Sequence, residues 1–379
     1  MLHSAYSSLQ ALTLFRIESE SKNVQVIFAC SLSSVDYNPN ENWNINIKEF
    51  LRNIQIPEVQ RPVQTILTVE SYVLSDSLSA HTNDIKVLTL SPNQQILASG
   101  SDDTQVILWD MVNQQIKFLL NGHNNSVNAL AFTPNNRYIA SAGDDLYIKI
   151  WNTETGAEVE ILTGHTQSVN DLIFTSDGER LISASADATI RVLNWRSGEE
   201  VMTLSGHEGF VNAIALSPDE RTLVSGTTDN TIRLWDLSTG EEIGLLVGHT
   251  SFVNDVVISP DGQWVASAGA DGTIKIWNLS TQREVHTLNN HESYVNALLF
   301  SPDNRLLLSS SADQTIKIWQ VRTGAMELSI PWVGTFIDAI AVKFEGPTWQ
   351  IIAGGKGSHD IQVWQLRRSN SQYENDSRG

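Results

Sequence analysis

The chain has 379 residues, 41% of them apolar and 18% charged, a composition that excludes global disorder and leaves ample material for a buried core. The net charge of −19 is unevenly spread: residues 1–66 hold 5 basic and 6 acidic side chains, residues 67–366 hold 16 and 35, and the remainder is +1. A middle segment that acidic repels phosphate backbones and favours basic partners, so nucleic acid is excluded from the expected ligands.

In chain order, the first fifteen residues lack a basic n-region and a long apolar run, so no secretory signal is expected. "NVQVIFACSL" (23–32) predicts a strand, "WNINIKEFLRNI" (43–54) a short amphipathic helix, and "IPEVQRP" (56–62) a linker limited by Pro57 and Pro62. Cys30 is the single cysteine, so no intrachain disulfide can form, which fits a reducing compartment; a cytoplasmic location is expected. No stretch reaches the length of a membrane span, and no membrane partner is expected. The segment 1–66 reads as a small extension of mixed structure.

From residue 67 onward a ruler applies. Histidines fall at His81, His123, His165, His207, His249 and His291, every 42 residues. Serines keep the same step at Ser99, Ser141, Ser183, Ser225, Ser267 and Ser309, and aspartates at Asp103, Asp145, Asp187, Asp229, Asp271 and Asp313. Tryptophans follow at Trp109, Trp151, Trp235, Trp277 and Trp319, with Leu193 in the third place. Four residue types at one period and fixed offsets define a tandem repeat. Within one copy, 242–281, "EIGLLVGH", "FVNDVVIS", "QWVASAG" and "TIKIWNL" predict four short strands separated by turns such as "PDG" and "ADG", with no helical pattern. About forty residues with four strands per unit is the signature of a propeller blade. The tail, 367–379, is polar and expected to be disordered.

These copies resemble WD40 repeats, whose marks are a Gly-His near the start and a Trp-Asp near the end. Gly122-His123, Gly164-His165, Gly206-His207 and Gly248-His249 carry the first mark; Ala80-His81 and Asn290-His291 are variants of it. Trp109-Asp110 and Trp235-Asp236 carry the second, which relaxes to Trp151-Asn152, Trp277-Asn278, Trp319-Gln320 and Trp364-Gln365. The similarity of the copies to one another resembles bacterial members of the family. The resemblance implies an all-β fold over 67–366, a seven-bladed β-propeller of four-stranded antiparallel blades. Its seventh copy, 325–366, is degraded: Val333 stands for the His, Gly354 for the Ser and Ser358 for the Asp, while Trp364 comes three residues late. The resemblance also implies that "SYVLSDSL" (71–78), which has no earlier blade to join, pairs near Trp364 and closes the ring.

A recurring Ser, His and Asp suggests a hydrolase triad. An active site occurs once, however, whereas a core device recurs in every repeat. The resemblance implies the latter: Trp indole to Ser, Ser to His, His to the turn Asp. Copy three, with Leu193, and copy seven should then be weaker. "AGGKGS" (353–358) has the flavour of a phosphate loop, but Gln350 stands where the first glycine belongs. One His and one Asp per blade do not make a zinc site, and neither metal nor cofactor is expected.

In WD40 proteins the common docking face carries the Gly-His loops and the tight turns. Three residues beyond each His sit Asp84, Ser126, Ser168, Phe210, Phe252, Tyr294 and Phe336. Past the aliphatic anchor sit Lys86, Asn128, Asn170, Asn212, Asn254, Asn296 and Asp338. Before the turn aspartates sit Asp102, Asp144, Ala186, Thr228, Ala270 and Ala312. Aromatics on blades four to seven beside Asp102 and Asp144 suit a protein or peptide with basic and apolar residues. The alternative is that these rings pack on neighbouring loops. The expected function is a non-catalytic scaffold for protein–protein interaction. A second reading has residues 1–66 relay partner binding to an effector, as a sensory or regulatory module. An enzyme would need a unique polar cluster at the channel mouth, which the loop positions do not offer.

Overall fold

The computed structural model describes residues 15–17, 26–28, 66–332, 334–346 and 348–371. Two compact units divide the chain, Met1–Gln64 and Thr65–Gly379. In the first, β1 (Phe15–Ile17) pairs antiparallel with β2 (Val26–Phe28), and β2 falls inside the strand expected over 23–32. The helix expected over 43–54 and the linker over 56–62 lie outside the described residues.

The second unit is a seven-bladed β-propeller. It opens with β3 (Ile66–Ser79). Blade one is β4 (Ile85–Leu90), β5 (Ile96–Ser101), β6 (Val106–Asp110) and β7 (Gln115–Leu120), paired antiparallel in that order from the inside outwards. Blades two to six repeat it as β8–β11 (127–162), β12–β15 (169–205), β16–β19 (211–247), β20–β23 (253–288) and β24–β27 (295–331). Blade seven is β28 (Phe336–Glu345), β29 (Thr348–Lys356), β30 (Ser358–Ser371) and, fourth, β3. No helix occurs among the described residues.

Position within the blade explains the sequence pattern. In β5 every residue of "ILASGS" is buried, because neighbouring blades cover both faces of the second strand. Such strands read as continuous small and apolar runs. The outermost β15 (Glu199–Ser205) keeps only Met202 and Leu204 from full exposure and reads as mostly polar. The core is correspondingly divided into seven layers, each between two adjacent blades. One layer joins Leu97, Ile107 and Trp109 of blade one to Ala339, Ile352 and Ile361 of blade seven. Another joins Leu308, Ile316 and Ile318 of blade six to Ile340, Trp349 and Trp364 of blade seven.

Closure follows the expected pairing, with Leu74 opposite Trp364. The ladder is longer than 71–78: it runs from Ile66 opposite Ser371 to Ser79 opposite Asp360. The polar stretch expected to be a disordered tail from 367 therefore begins inside a strand, because β3 offers it an antiparallel partner as far as residue 371. Residues 372–379 lie outside the described residues.

Register also corrects the alignment of blade seven. In blade one Trp109 lies opposite Leu97, and Ser99 opposite Leu88. In blade seven Trp364 lies opposite Ile351, and Ala353 opposite Ile340. Ala353, not Gly354, thus takes the serine position. The two glycines after it serve packing. A Cβ on Gly354 would come within 2.8 Å of Ile85, and one on Gly355 within 2.0 Å of the Phe336 carbonyl.

Candidate functional site

In blade one the Trp109 indole N–H donates to Ser99 Oγ (2.9 Å), Ser99 Oγ bonds His81 Nε2 (2.7 Å), and His81 Nδ1 bonds Asp103 Oδ2 (2.9 Å). An indole can only donate, so the serine proton is free for Nε2, and the imidazole proton sits on Nδ1 and goes to the carboxylate. Blades two, five and six repeat the chain. His–Ser distances there are 2.7–2.8 Å, His–Asp 2.7–3.0 Å and Trp–Ser 2.8–3.0 Å. The aspartate also pins local backbone: Asp103 accepts from the N–H of Thr82 (2.8 Å) and of Gln105 (3.0 Å).

Blades three, four and seven depart from the pattern. In blade three Ser183 bonds His165 (2.8 Å) and His165 bonds Asp187 (2.9 Å), but Leu193 supplies no donor. Trp195, two residues on, donates instead to the Gly178 carbonyl (2.8 Å) and packs against Tyr138 of blade two and against Phe174. In blade four Trp235, Ser225 and His207 are joined, but the expected bond from His207 to Asp229 is absent, and His207 Nδ1 has no partner. Thr227 distinguishes this blade. Its hydroxyl donates to Asp229, which also accepts from the Thr231 hydroxyl (2.5 Å) and N–H (2.9 Å). Ser101, Ser185 and Ser311, at the equivalent position, give their hydroxyls to carbonyls of the His loop. In blade seven Ala353 has no hydroxyl, and the buried Trp364 Nε1 has no acceptor. Val333 lies outside the described residues; Ser358 sits at the start of β30 and bonds Asp360.

The electrostatics follow from burial. Desolvation holds His81, His165, His249 and His291 below the ordinary imidazole value, against the pull of their aspartates. His207, lowered by burial and by nearby Arg233 and raised only by the charge of Asp229 with no hydrogen bond to it, drops to about 4. Burial pushes Asp187 and Asp271 upwards, but bonds from threonine hydroxyls, backbone N–H groups and the imidazoles outweigh it and bring both to about 2. None of the six serine hydroxyls can meet a substrate: Ser99, Ser141, Ser183, Ser225, Ser267 and Ser309 are all 0% exposed. The Ser–His–Asp geometry of a hydrolase is present, and its nucleophile is sealed.

The loop end of the ring is open. Phe210, Phe252, Tyr294 and Phe336 are between 40% and 58% exposed. Their neighbours in the repeat have other tasks. Asn170, Asn212, Asn254 and Asn296 each donate from Nδ2 to the anchor carbonyl of the next blade, at Val211, Val253, Val295 and Ile337 (2.9–3.0 Å). Asn128 bonds Asp144 Oδ1 within its own blade (2.7 Å). Lys86 faces Asp338 across the closing joint, 4.0 Å away. Asp102 lies near the same joint, close enough to bear on Asp338.

Two carboxylates escape a reading centred on the period. Asp171 and Asp255 stand on inner strands β12 (Val169–Phe174) and β20 (Val253–Ile258), where the other copies have Val87, Ala129, Ala213, Ala297 and Ala339. Asp171 accepts the N–H of Ile214 in blade four (2.8 Å), and Asp255 that of Leu298 in blade six (2.7 Å). Enclosure by protein raises both to about 7, and for Asp255 the charge of Asp171 adds to this. The exception to an apolar position was the signal available in the sequence. Strand pairs such as Lys149–Glu158 (2.8 Å) and Lys275–Glu284 (3.0 Å) were likewise legible as a period of 42 in the glutamates. Among the described residues no three His, Cys, Asp or Glu side chains converge as metal ligands.

Comparison with curated proteins returned no match. The chain does match the WD40 family, described as WD domain, G-beta repeat, six times in succession, at residues 72–110, 114–152, 156–194, 198–236, 240–278 and 282–320. These matches span more than half of the sequence, each covering the outer strand of one blade and the first three strands of the next, so the chain belongs to the WD40 repeat family.

Proposed function

We propose that the protein is a non-catalytic docking platform that holds a partner protein or peptide on the loop face of its propeller. WD40 propellers are generally scaffolds for protein–protein interaction. The observation that carries the reading here is the arc of Phe210, Phe252, Tyr294 and Phe336. Four consecutive blades present an aromatic ring at one repeat position, and each keeps a large share of its surface open to solvent. Exposed aromatics that no intramolecular packing accounts for are typical contact anchors. Asp84, Asp102, Glu208 and Glu292 on the same loops, in a propeller with 35 acidic and 16 basic side chains, favour a partner with basic residues. The single cysteine suits the cytoplasm.

The test pairs stability with capture. Phe210→Ser/Phe252→Ser should melt within about 2 °C of the wild type, because exposed substitutions cost within about 0.5 kcal/mol each. Recovery of partners in affinity purification with mass spectrometry should fall at least about tenfold, the loss of a single contact anchor. A variant that melts early and keeps its partners would show that the rings pack rather than dock.

A further inference from the structure

The docking reading is the footing for a narrower inference about blades five to seven. Ala270 and Ala312 precede the turn aspartates of blades five and six, where blades one and two have Asp102 and Asp144. A methyl group leaves open the space a longer side chain would fill, and a depression of about 580 Å³ lies there. Tyr294 and Phe336 line it, both well exposed.

Its polar groups are unbalanced. Asp338 takes the place of the ladder asparagine and accepts from Asn296 Nδ2 at Oδ1 (3.1 Å). Its Oδ2 accepts no hydrogen bond, and Lys86 Nζ is 4.0 Å away. Burial holds this carboxyl above its ordinary range, while Lys86 and Lys356 oppose the rise. Glu292 is a second, exposed carboxylate on the lining. Among the described residues Lys356 is the one lysine or arginine that lines the depression, where the neutral imidazole of His291 is tied to Ser309 and Asp313; the Lys356 Nζ lies 5.7 Å from the centre of the Phe336 ring.

These features discriminate among occupants. An apolar group would cover Asp338 without compensating it, which is costly. A carboxylate would meet like charge. An ammonium or guanidinium gains two carboxylates and two ring faces. We propose that the depression seats an arginine or lysine side chain of the partner protein, its cation towards Asp338 and Glu292 and its stem against Tyr294 and Phe336. Lys356 lies on the same ring and competes with the incoming cation.

A random peptide library displayed on phage and selected on the immobilised full-length protein supplies the probe. Enriched peptides should carry Arg or Lys beside apolar residues. Exchange of that residue for norleucine should weaken binding at least about tenfold in fluorescence anisotropy, the range expected for a desolvated charged contact. Asp338→Asn should erase the difference between the two peptides, and Lys356→Ala should tighten the cationic one. Lys356→Ala leaves the inter-blade ladder intact, so its effect does not depend on how the ring tolerates a change at Asp338. Enrichment of acidic or uncharged sequences, no enrichment, equal binding of the norleucine peptide, or weaker binding to Lys356→Ala would overturn the proposal. Peptides lost on Phe210→Ser/Phe252→Ser but indifferent to Asp338→Asn and Lys356→Ala would sink the cation seat and leave loop-face docking standing.

Discussion

An indole that can only donate gives each complete four-residue chain its direction and ends it on a carboxylate that also fixes two backbone N–H groups. Removing the imidazole in blade five strands Ser267 and Asp271 together. His249→Ala is expected to cost about 2–4 kcal/mol, the range for breaking a buried polar network. His207→Ala should cost about 1–2 kcal/mol less, because His207 Nδ1 is already unpartnered and Asp229 keeps its threonine bonds. Chemical denaturation of the two variants side by side decides this; equal losses would mean that the Asp contact contributes nothing. Blades four and five are equivalent by spacing alone. The two blades differ in that Thr227 donates its hydroxyl to Asp229 where blade five has Gly269, a contact that exists only once the turn has folded.

At the scale of the strand, closure matters most. Six blades take all four strands from consecutive chain, but blade seven borrows β3 from the far end of the propeller segment. A chain that begins at His81 would leave β30 as a bare edge and, by losing Leu78, uncover Ile85 and Ile361, against which that side chain packs. Such a truncation should elute as larger species, and its amides at 361–366 should exchange within minutes rather than hours. Unchanged melting and exchange would show that the three remaining strands close the ring without β3. The leading strand was readable from one extra run ahead of the first histidine, and its partner from the resemblance to WD40 repeats. Its true length was not, since Ile66–Ser71 gain their order from the facing residues of β30 and not from any pattern of their own.

At the scale of the ring, blades are held by apolar layers and by bonds that cross the joints: the asparagine ladder from blade three to blade seven, the Lys86–Asp338 contact, and the two inner carboxylates. The last make stability depend on pH in an unusual sense. The carboxyls of Asp171 and Asp255 titrate near 7 when folded and near 3.8 when unfolded, so the unfolded chain ionises first. Their contribution to stability is therefore greatest in acid and is lost as pH rises from about 4 through 7. Asp171→Asn/Asp255→Asn should be more stable than the wild type at pH 8, by roughly 1–3 kcal/mol per site after a discount for their partial exposure to solvent, and equal to it near pH 4. His207 acts in the opposite sense: its folded value of about 4 lies below the unfolded 6.5, so stability falls as pH drops through that window. Melting curves of wild type and double variant from pH 4 to 8 measure the difference. A gap that does not widen with pH would refute the assignment.

Whereas the seventh blade and the bonds among the recurring residues followed from the resemblance to WD40 repeats, the 42-residue period by itself determined the all-β class, the six four-strand repeats and the positions of the recurring His, Ser, Asp and Trp. Those properties are local and repeat with the chain, so a single spacing encodes them. Which fasteners are complete, where Ala353 falls, that the asparagines bridge blades, and that Asp171 and Asp255 share the inner wall were decided only by the closed ring. Each depends on what a side chain meets in the adjacent blade, about forty residues away, and the competition among neighbouring donors and acceptors exists only when the blades are side by side.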